Sequence, residues 1–216
     1  MAELPANPMS VELSVTHRML WWQTVTDDDM PEHWRVSADV WDLDACADED
    51  RHVADVQLAV ADLNRDRNLL DSLELGEWTL EFIAETVIDL ADGTLVPDLD
   101  ARIGDGPPRM VIVCWFELAE RWRGHGLAAP LLASALERFS NSARLAVCRI
   151  SPADLLHRNA DRVSAELTCV RLGVLLERIG FFRWNGVYVV DLKNRELIDA
   201  SFDPLERWGP YSDENS

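Results

Sequence analysis

Residues 110–118, MVIVCWFEL, form an almost continuous apolar run with the branched and aromatic content of a strand buried on both faces. That run leads within a few residues into Arg-Gly-His-Gly at 123–126, and from there into a helical pattern. Leu127, Leu131, Leu132, Ala135, Leu136 and Phe139 share one helical face, and Pro130 is tolerable because it falls in the first turn or so. A buried strand feeding glycines and then an amphipathic helix is an α/β arrangement that suits phosphate binding. The helix start leaves backbone N–H groups without partners and carries partial positive charge, so an anion there gains hydrogen bonds and dipole stabilisation together. Gly124 and Gly126 let the backbone approach an anion without a side chain in the way, and Arg121 and Arg123 add cationic donors. A tight turn that merely uses glycine has the same local pattern.

The rest of the second half continues this alternation. Residues 144–150 read as a strand ended by Ser151-Pro152, Leu167 to Ile179 as a helix closed by Gly180, and 181–184 with 187–192 as a hairpin around Asn185-Gly186. Residues 193–216 read as a tail. In the first half, residues 1–10 read as a loose end, and Val11, Leu13 and Val15 as a first strand. Val36, Ala38 and Val40 pair naturally with Val56, Leu58 and Val60 across an acidic connection. Helical spacing then appears at Leu69, Leu70 and Leu73, and again from Phe82 through Leu90, with Gly93 as a stop. Residues 93–108 carry the strongest loop signal, either a mobile stretch or a domain seam.

The chain has 216 residues, enough for one domain with a sizeable core; 48% of them are apolar and 27% charged, which fits neither disorder nor a fibrous class. Acidic residues outnumber basic ones 39 to 20, so the formal charge of −19 disfavours nucleic acid and anionic membrane surfaces and steers a cationic acceptor inward, or simply serves solubility. Cys46, Cys114, Cys148 and Cys169 form no Cys-x-x-Cys pair, and the N-terminus has no export pattern, so a cytoplasmic location is expected. His17, His33, His52 and His157 show no metal spacing, and no metal is expected. The tryptophans default to core, with Trp21, Trp22, Trp34 and Trp41 the alternative walls of an aromatic acceptor pocket.

Arg123-x-x-Gly126-x-Ala128 resembles the Arg/Gln-x-x-Gly-x-Gly/Ala signature of the GNAT superfamily, the acyl-CoA-dependent N-acyltransferases. In that family the signature lies between the fourth strand and the third helix. Downstream, Leu175, Glu177, Arg178, Ile179, Gly180 and Phe181 are similar to the family's Leu-Tyr-Glu-Lys-Leu-Gly-Phe run, which closes the fourth helix. The resemblance covers about residues 109–192. It implies a mixed, mostly antiparallel central sheet with helices on both faces, in a single domain over 1–216 whose first 108 residues form a divergent, substrate-side half. It also implies that Arg123, Gly124, His125, Gly126, Leu127 and Ala128 hold the pyrophosphate of acetyl-CoA, and that the strand end Phe116 to Leu118 pairs with the pantetheine arm where adjacent strands splay apart. The acyl group would pass directly to a primary amine, on a small molecule or a protein.

The chain departs from the family in two ways. The helix tyrosine that protonates the departing thiolate in many members is Leu176 here, and the helices expected over 66–92 precede the fourth strand rather than following the first. Glu117 is the candidate base, being the carboxylate embedded in the cofactor-side strand; its alternative is a surface pair with Arg121 or Arg123. His125 is expected to face solvent. Besides an N-acetyltransferase, the sequence allows a catalytically silent acyl-CoA-binding or interaction module. A P-loop or dinucleotide fold is disfavoured, because neither glycine pattern is present.

Overall fold

A computed structural model describes residues 3–18, 21, 31–64, 67–68, 78–89, 91–155 and 161–210. Its elements in chain order are β1 (Val11–His17), β2 (Glu32–Val40), β3 (His52–Asn64), β4 (Arg67–Asn68), α1 (Trp78–Val87), β5 (Ile88–Asp89), β6 (Thr94–Leu95) and α2 (Pro97–Asp100). They continue with β7 (Arg109–Leu118), α3 (Ala128–Glu137), β8 (Leu145–Cys148), α4 (Pro152–Leu155), α5 (Arg162–Arg178), β9 (Phe182–Trp184), β10 (Val187–Asp191) and α6 (Arg195–Trp208). The main sheet runs β1-β2-β3-β7-β8-β10-β9, with β4 attached to β3. Among the described strands only β7 and β8 pair in parallel, joined by the crossover through α3; every other pairing is antiparallel. The fold is therefore mixed α/β with a mostly antiparallel sheet.

Helices cover both faces. On one, Leu132, Leu136 and Ala133 of α3, Leu176 of α5 and Leu197 of α6 pack over Val56, Leu58, Val111 and Val113. On the other, Leu80, Ile83 and Val87 of α1 and Leu99 of α2 pack over Ala59, Met110, Ile112 and Val147. The period of two in β3 and β7 produces this division, since alternate residues point to opposite faces. β7 is buried on both faces only from Met110 to Val113; beyond that the helices do not cover it fully, and Cys114 and Glu117 are exposed.

The first strand, the β2–β3 pair, the helix after 126, the strand near 145, the helix ending at Gly180 and the Asn-Gly hairpin all form. Asn185 (φ 42°) and Gly186 (φ 93°) both take positive φ, as a tight hairpin of this kind requires. Four expectations need correction. The helix expected to run from Phe82 to Leu90 stops at Val87, because Asp89 accepts the Ala91 N–H through its side chain and the Gly93 N–H through its carbonyl, turning the chain into the β5–β6 hairpin. The stretch 93–108 is not all loop: it holds β6 and α2, Leu99 and Ile103 are buried, and Arg144 bonds to Asp100, Ile103 and Gly104. The helix expected from Leu167 begins at Arg162, where Asp161 accepts the Ser164 N–H. Residues 195–208 of the supposed tail are α6, capped by the Asn194 side chain on the Glu196 N–H and anchored by buried Leu197, despite Pro204 inside it. The helix expected at Leu69, Leu70 and Leu73 lies outside the described residues, as do Leu90, Trp22, His157 and Tyr211. No helix among the described residues is long and apolar enough to cross a membrane.

Candidate functional site

β7 ends at Leu118 and the chain turns through a short 3-10 segment, Glu120–Trp122, before α3 begins at Ala128. Trp122 is fully buried, and its indole N–H donates to the Asp50 carbonyl at 2.8 Å, which anchors the turn to the β2–β3 connection. Gly124 (φ 84°) and Gly126 (φ 82°) then adopt a left-handed backbone that a side chain would strain. A Cβ on Gly124 would meet nothing within 4 Å, so the backbone there faces open space.

The helix start lacks the usual cap. Leu127 occupies the N-cap with no side-chain hydrogen bond, and the first turn of α3 carries no acidic residue. Among the described residues, no protein acceptor takes the N–H groups of Gly124, His125, Gly126, Leu127 or Ala128. His125 is half-buried, whereas the Leu127 side chain is 3% exposed and belongs to the core, leaving only its backbone for a ligand.

The arginines on the turn are already engaged. Arg121 lies 3.6 Å from Asp50, and Arg123 folds back, giving Nε to the Leu118 carbonyl and Nη2 to Glu117, each at 2.8 Å. Glu117 therefore takes the surface-pair arrangement. A carboxylate held by a guanidinium is a poor starting point for a base and a good fastener of the loop to the strand. A third guanidinium approaches instead from α6: Arg207, paired with Asp203 at 3.0 Å, puts Nη1 3.0 Å from where a Gly126 Cβ would stand. Reading 193–216 as a tail concealed it.

β7 and β8 pair from Met110↔Leu145 to Val113↔Cys148 and no further, while β7 continues to Leu118 against β3 alone. The Ala119 N–H donates to the Val53 carbonyl, so strand alternation turns the backbone groups of Phe116 and Leu118 to the other, open edge. The Leu118 carbonyl on that edge is the one Arg123 takes. A register shift between Gln57 and Leu58 leaves Cys114 as the extra residue of a bulge where this edge opens. On the exposed sheet face beside it, His52, Asp55, Trp115, Glu117 and Arg123 line a shallow cleft of about 170 Å³. That volume is too small for a nucleotide-sized ligand and adequate for an amine head group.

Comparison with known protein families and with curated proteins found no match to this chain. The site therefore has to be read from its own chemistry. Leu176, at the position of the expected helix tyrosine, is 3% exposed and packs in the core. A tyrosine nevertheless reaches the same helix from the sheet. Tyr188 of β10, opposite Cys148 in the ladder, places its hydroxyl 2.5 Å from where a Gly173 Cβ would stand, with Arg183 5.5 Å over its ring. Helical side chains lean toward the N-terminus over the i−3 position, so the Tyr188 hydroxyl occupies ground that a long residue at 176 would cover. The sequence signal was a glycine inside a helix, which went unread.

Among the described residues, Trp21, Trp34 and Trp41 do not come together as an aromatic pocket. Trp21 is 94% and Trp41 60% exposed, and Trp34 stacks on His17 and meets Phe139 edge-on. Neither does core describe Trp21 or Trp41. No group of His, Cys, Asp or Glu among the described residues has the geometry to hold a metal ion.

Proposed function

We propose that this chain binds acyl-CoA, acetyl-CoA in the first instance, and transfers the acyl group to a primary amine in the manner of the GNAT superfamily. The observation that carries the reading is the run of unaccepted amides from Gly124 to Ala128, opened by left-handed glycines and lying immediately after the strand that parts from its parallel neighbour. These features suit a diphosphate: the helix start is uncapped, space is open beside Gly124, and the Arg207 guanidinium, paired with Asp203, stands beside Gly126. Along the main sheet β7 is the fourth strand, and this loop joins it to the next long helix, the context the signature has in the family. The open edge offers the Phe116 backbone groups and the Leu118 N–H to an amide-bearing arm, the Leu118 carbonyl being held by Arg123.

In the transfer, the neutral amine attacks the thioester carbonyl and a C–N bond forms; the C–S bond then breaks, the thiolate takes a proton, and the nitrogen gives up its surplus proton to water, which returns one to the group that protonated the thiolate. Tyr188 is the proton donor in this reading, since its hydroxyl lies against α5 beside the end of β8. The indole face of Trp115 suits the approach of a cationic amine, while Asp55 and Glu117 beside it are held by Arg35 and Arg123.

A catalytically silent acyl-CoA-binding module is the second reading, favoured by the apolar, buried Leu176. Calorimetry with acetyl-CoA tests what both share: heat and a thermal shift are expected, abolished in Gly126→Trp while circular dichroism still reports a folded chain. No heat at excess ligand rejects both. Thiol release with a panel of amines then separates them.

A further inference from the structure

α5 buries one side and leaves the other uncovered. Ala165, Gly173 and Leu176 face the core, while Val163, Leu167, Val170 and Val174 are 64, 53, 64 and 61% exposed. These residues are spaced alternately four and three apart, so they form one stripe along the helix, about 17 Å from first to last. This is a heptad seam, with Val163 and Val170 at d and Leu167 and Val174 at a. Isolated exposed apolar residues are ordinary, but a contiguous row opposite the buried face is the mark of an interaction surface.

The charges beside the seam differ in sign from one edge to the other. Glu166 falls at g, while Arg171 falls at e, on the same edge as Arg178; Glu177, at the next d, ends the apolar seam and pairs with Arg183. Glu166 has a local partner in Arg162, at 2.9 Å on an exposed surface, and Arg171 forms no ion pair among the described residues. Helix pairing in parallel sets g of one helix against the e position five residues on in the other, which joins Glu166 to Arg171 in both directions. Antiparallel pairing sets like edges together, acid against acid and base against base.

We propose that this face of α5 is a homodimer surface, on which a second copy of the chain lays its own α5 in parallel about a two-fold axis along the helices. The isologous contact buries the a and d side chains and closes two Glu166–Arg171 pairs. A seam this short places the contact at the low end of specific interfaces, so the dimer is a reversible one.

Sedimentation of the full chain over a concentration series tests this. The expected result is a shift from the 24.5 kDa chain mass toward twice that value. Leu167→Glu with Val170→Glu should remain monomeric at every concentration, with a melting curve that matches the wild type's at dilutions where the wild type is itself monomeric, because both residues are exposed. Glu166→Arg and Arg171→Glu should each weaken association, and the two together should restore it. Val174→Cys should crosslink to itself under mild oxidation beyond the wild-type background. A wild type that stays monomeric throughout overturns the proposal, as does a dimer indifferent to the Leu167 and Val170 changes. Crosslinking only between cysteines placed at 163 and 174 overturns the parallel arrangement.

Discussion

The indole N–H of Trp122 donates to the backbone carbonyl of Asp50 at 2.8 Å, tying the glycine turn before α3 to a connection more than seventy positions earlier in the chain. Trp122 is fully buried beside Val53 and Leu127, so this bond joins the candidate anion site to the packed end of the sheet. Trp122→Phe keeps much of the apolar volume and strands the carbonyl, for a cost of about 1–3 kcal/mol. Chemical denaturation should show that loss, and calorimetry should show weaker acetyl-CoA binding in the folded variant, because the turn loses its anchor.

Gly124→Ala separates backbone strain from crowding. The new methyl meets no neighbour, yet φ 84° disfavours any residue with a Cβ by about 1–2 kcal/mol. The variant should melt lower and bind acetyl-CoA more weakly than the melting shift alone explains, since relaxing the strain turns the amides away from the ligand. An unchanged dissociation constant beside a lowered melting temperature would separate Gly124 from the site.

Tyr188→Phe removes the proton donor and leaves the loop intact. The expected outcome in a thiol-release assay is a drop in kcat of about 10² to 10⁴, with acetyl-CoA affinity preserved. Gly173→Ala should reduce kcat as well, because its Cβ would stand 2.5 Å from the Tyr188 hydroxyl and displace it. Full turnover in Tyr188→Phe would assign the proton to water.

Burial pushes the Cys148 thiol from an ordinary 9.0 up to about 12, and neighbouring Cys114 pushes in the same direction. The folded state thus keeps the thiol protonated where the unfolded chain has lost the proton. Its contribution to stability is fully present below pH 9.0 and is lost as pH rises from there toward about 12. Cys148→Ala should flatten that decline in urea midpoints measured from neutral to alkaline pH. Alkylation of the native protein should reach exposed Cys114 before Cys148.

Much of the architecture could be read from periodicity. The alternation of Val36, Ala38 and Val40 with Val56, Leu58 and Val60 is the β2–β3 ladder itself, and Asn185-Gly186 announced its hairpin because few other pairs tolerate positive φ twice. The glycine turn was legible for the same reason, since Gly124 and Gly126 are where the backbone needs left-handed conformations. What local pattern could not supply was who else arrives at the site. α6 was hidden by Pro204, which usually breaks a helix, and with it went Arg207. Tyr188 reads as an ordinary strand residue until Gly173 is seen opposite its hydroxyl. Glu117 looked like a base because it sat in the right strand, but Arg123, six positions on, reaches it. The exposed seam on α5 was missed because Leu167 to Ile179 reads only as a helix closed by Gly180, with nothing local to say which apolar residues turn outward.

The early end of the β7–β8 ladder gives one central strand two kinds of backbone. Deep in the sheet, Met110 to Val113 are latched from both sides and should hold their amide protons until the whole molecule opens. A few residues later Phe116 turns its N–H to an edge with no strand beside it, so deuterium should enter the middle of the protein as readily as it enters a loop. A ligand arm lying along that edge would close the door, and slowed exchange at this one amide would report its arrival without any chemistry taking place.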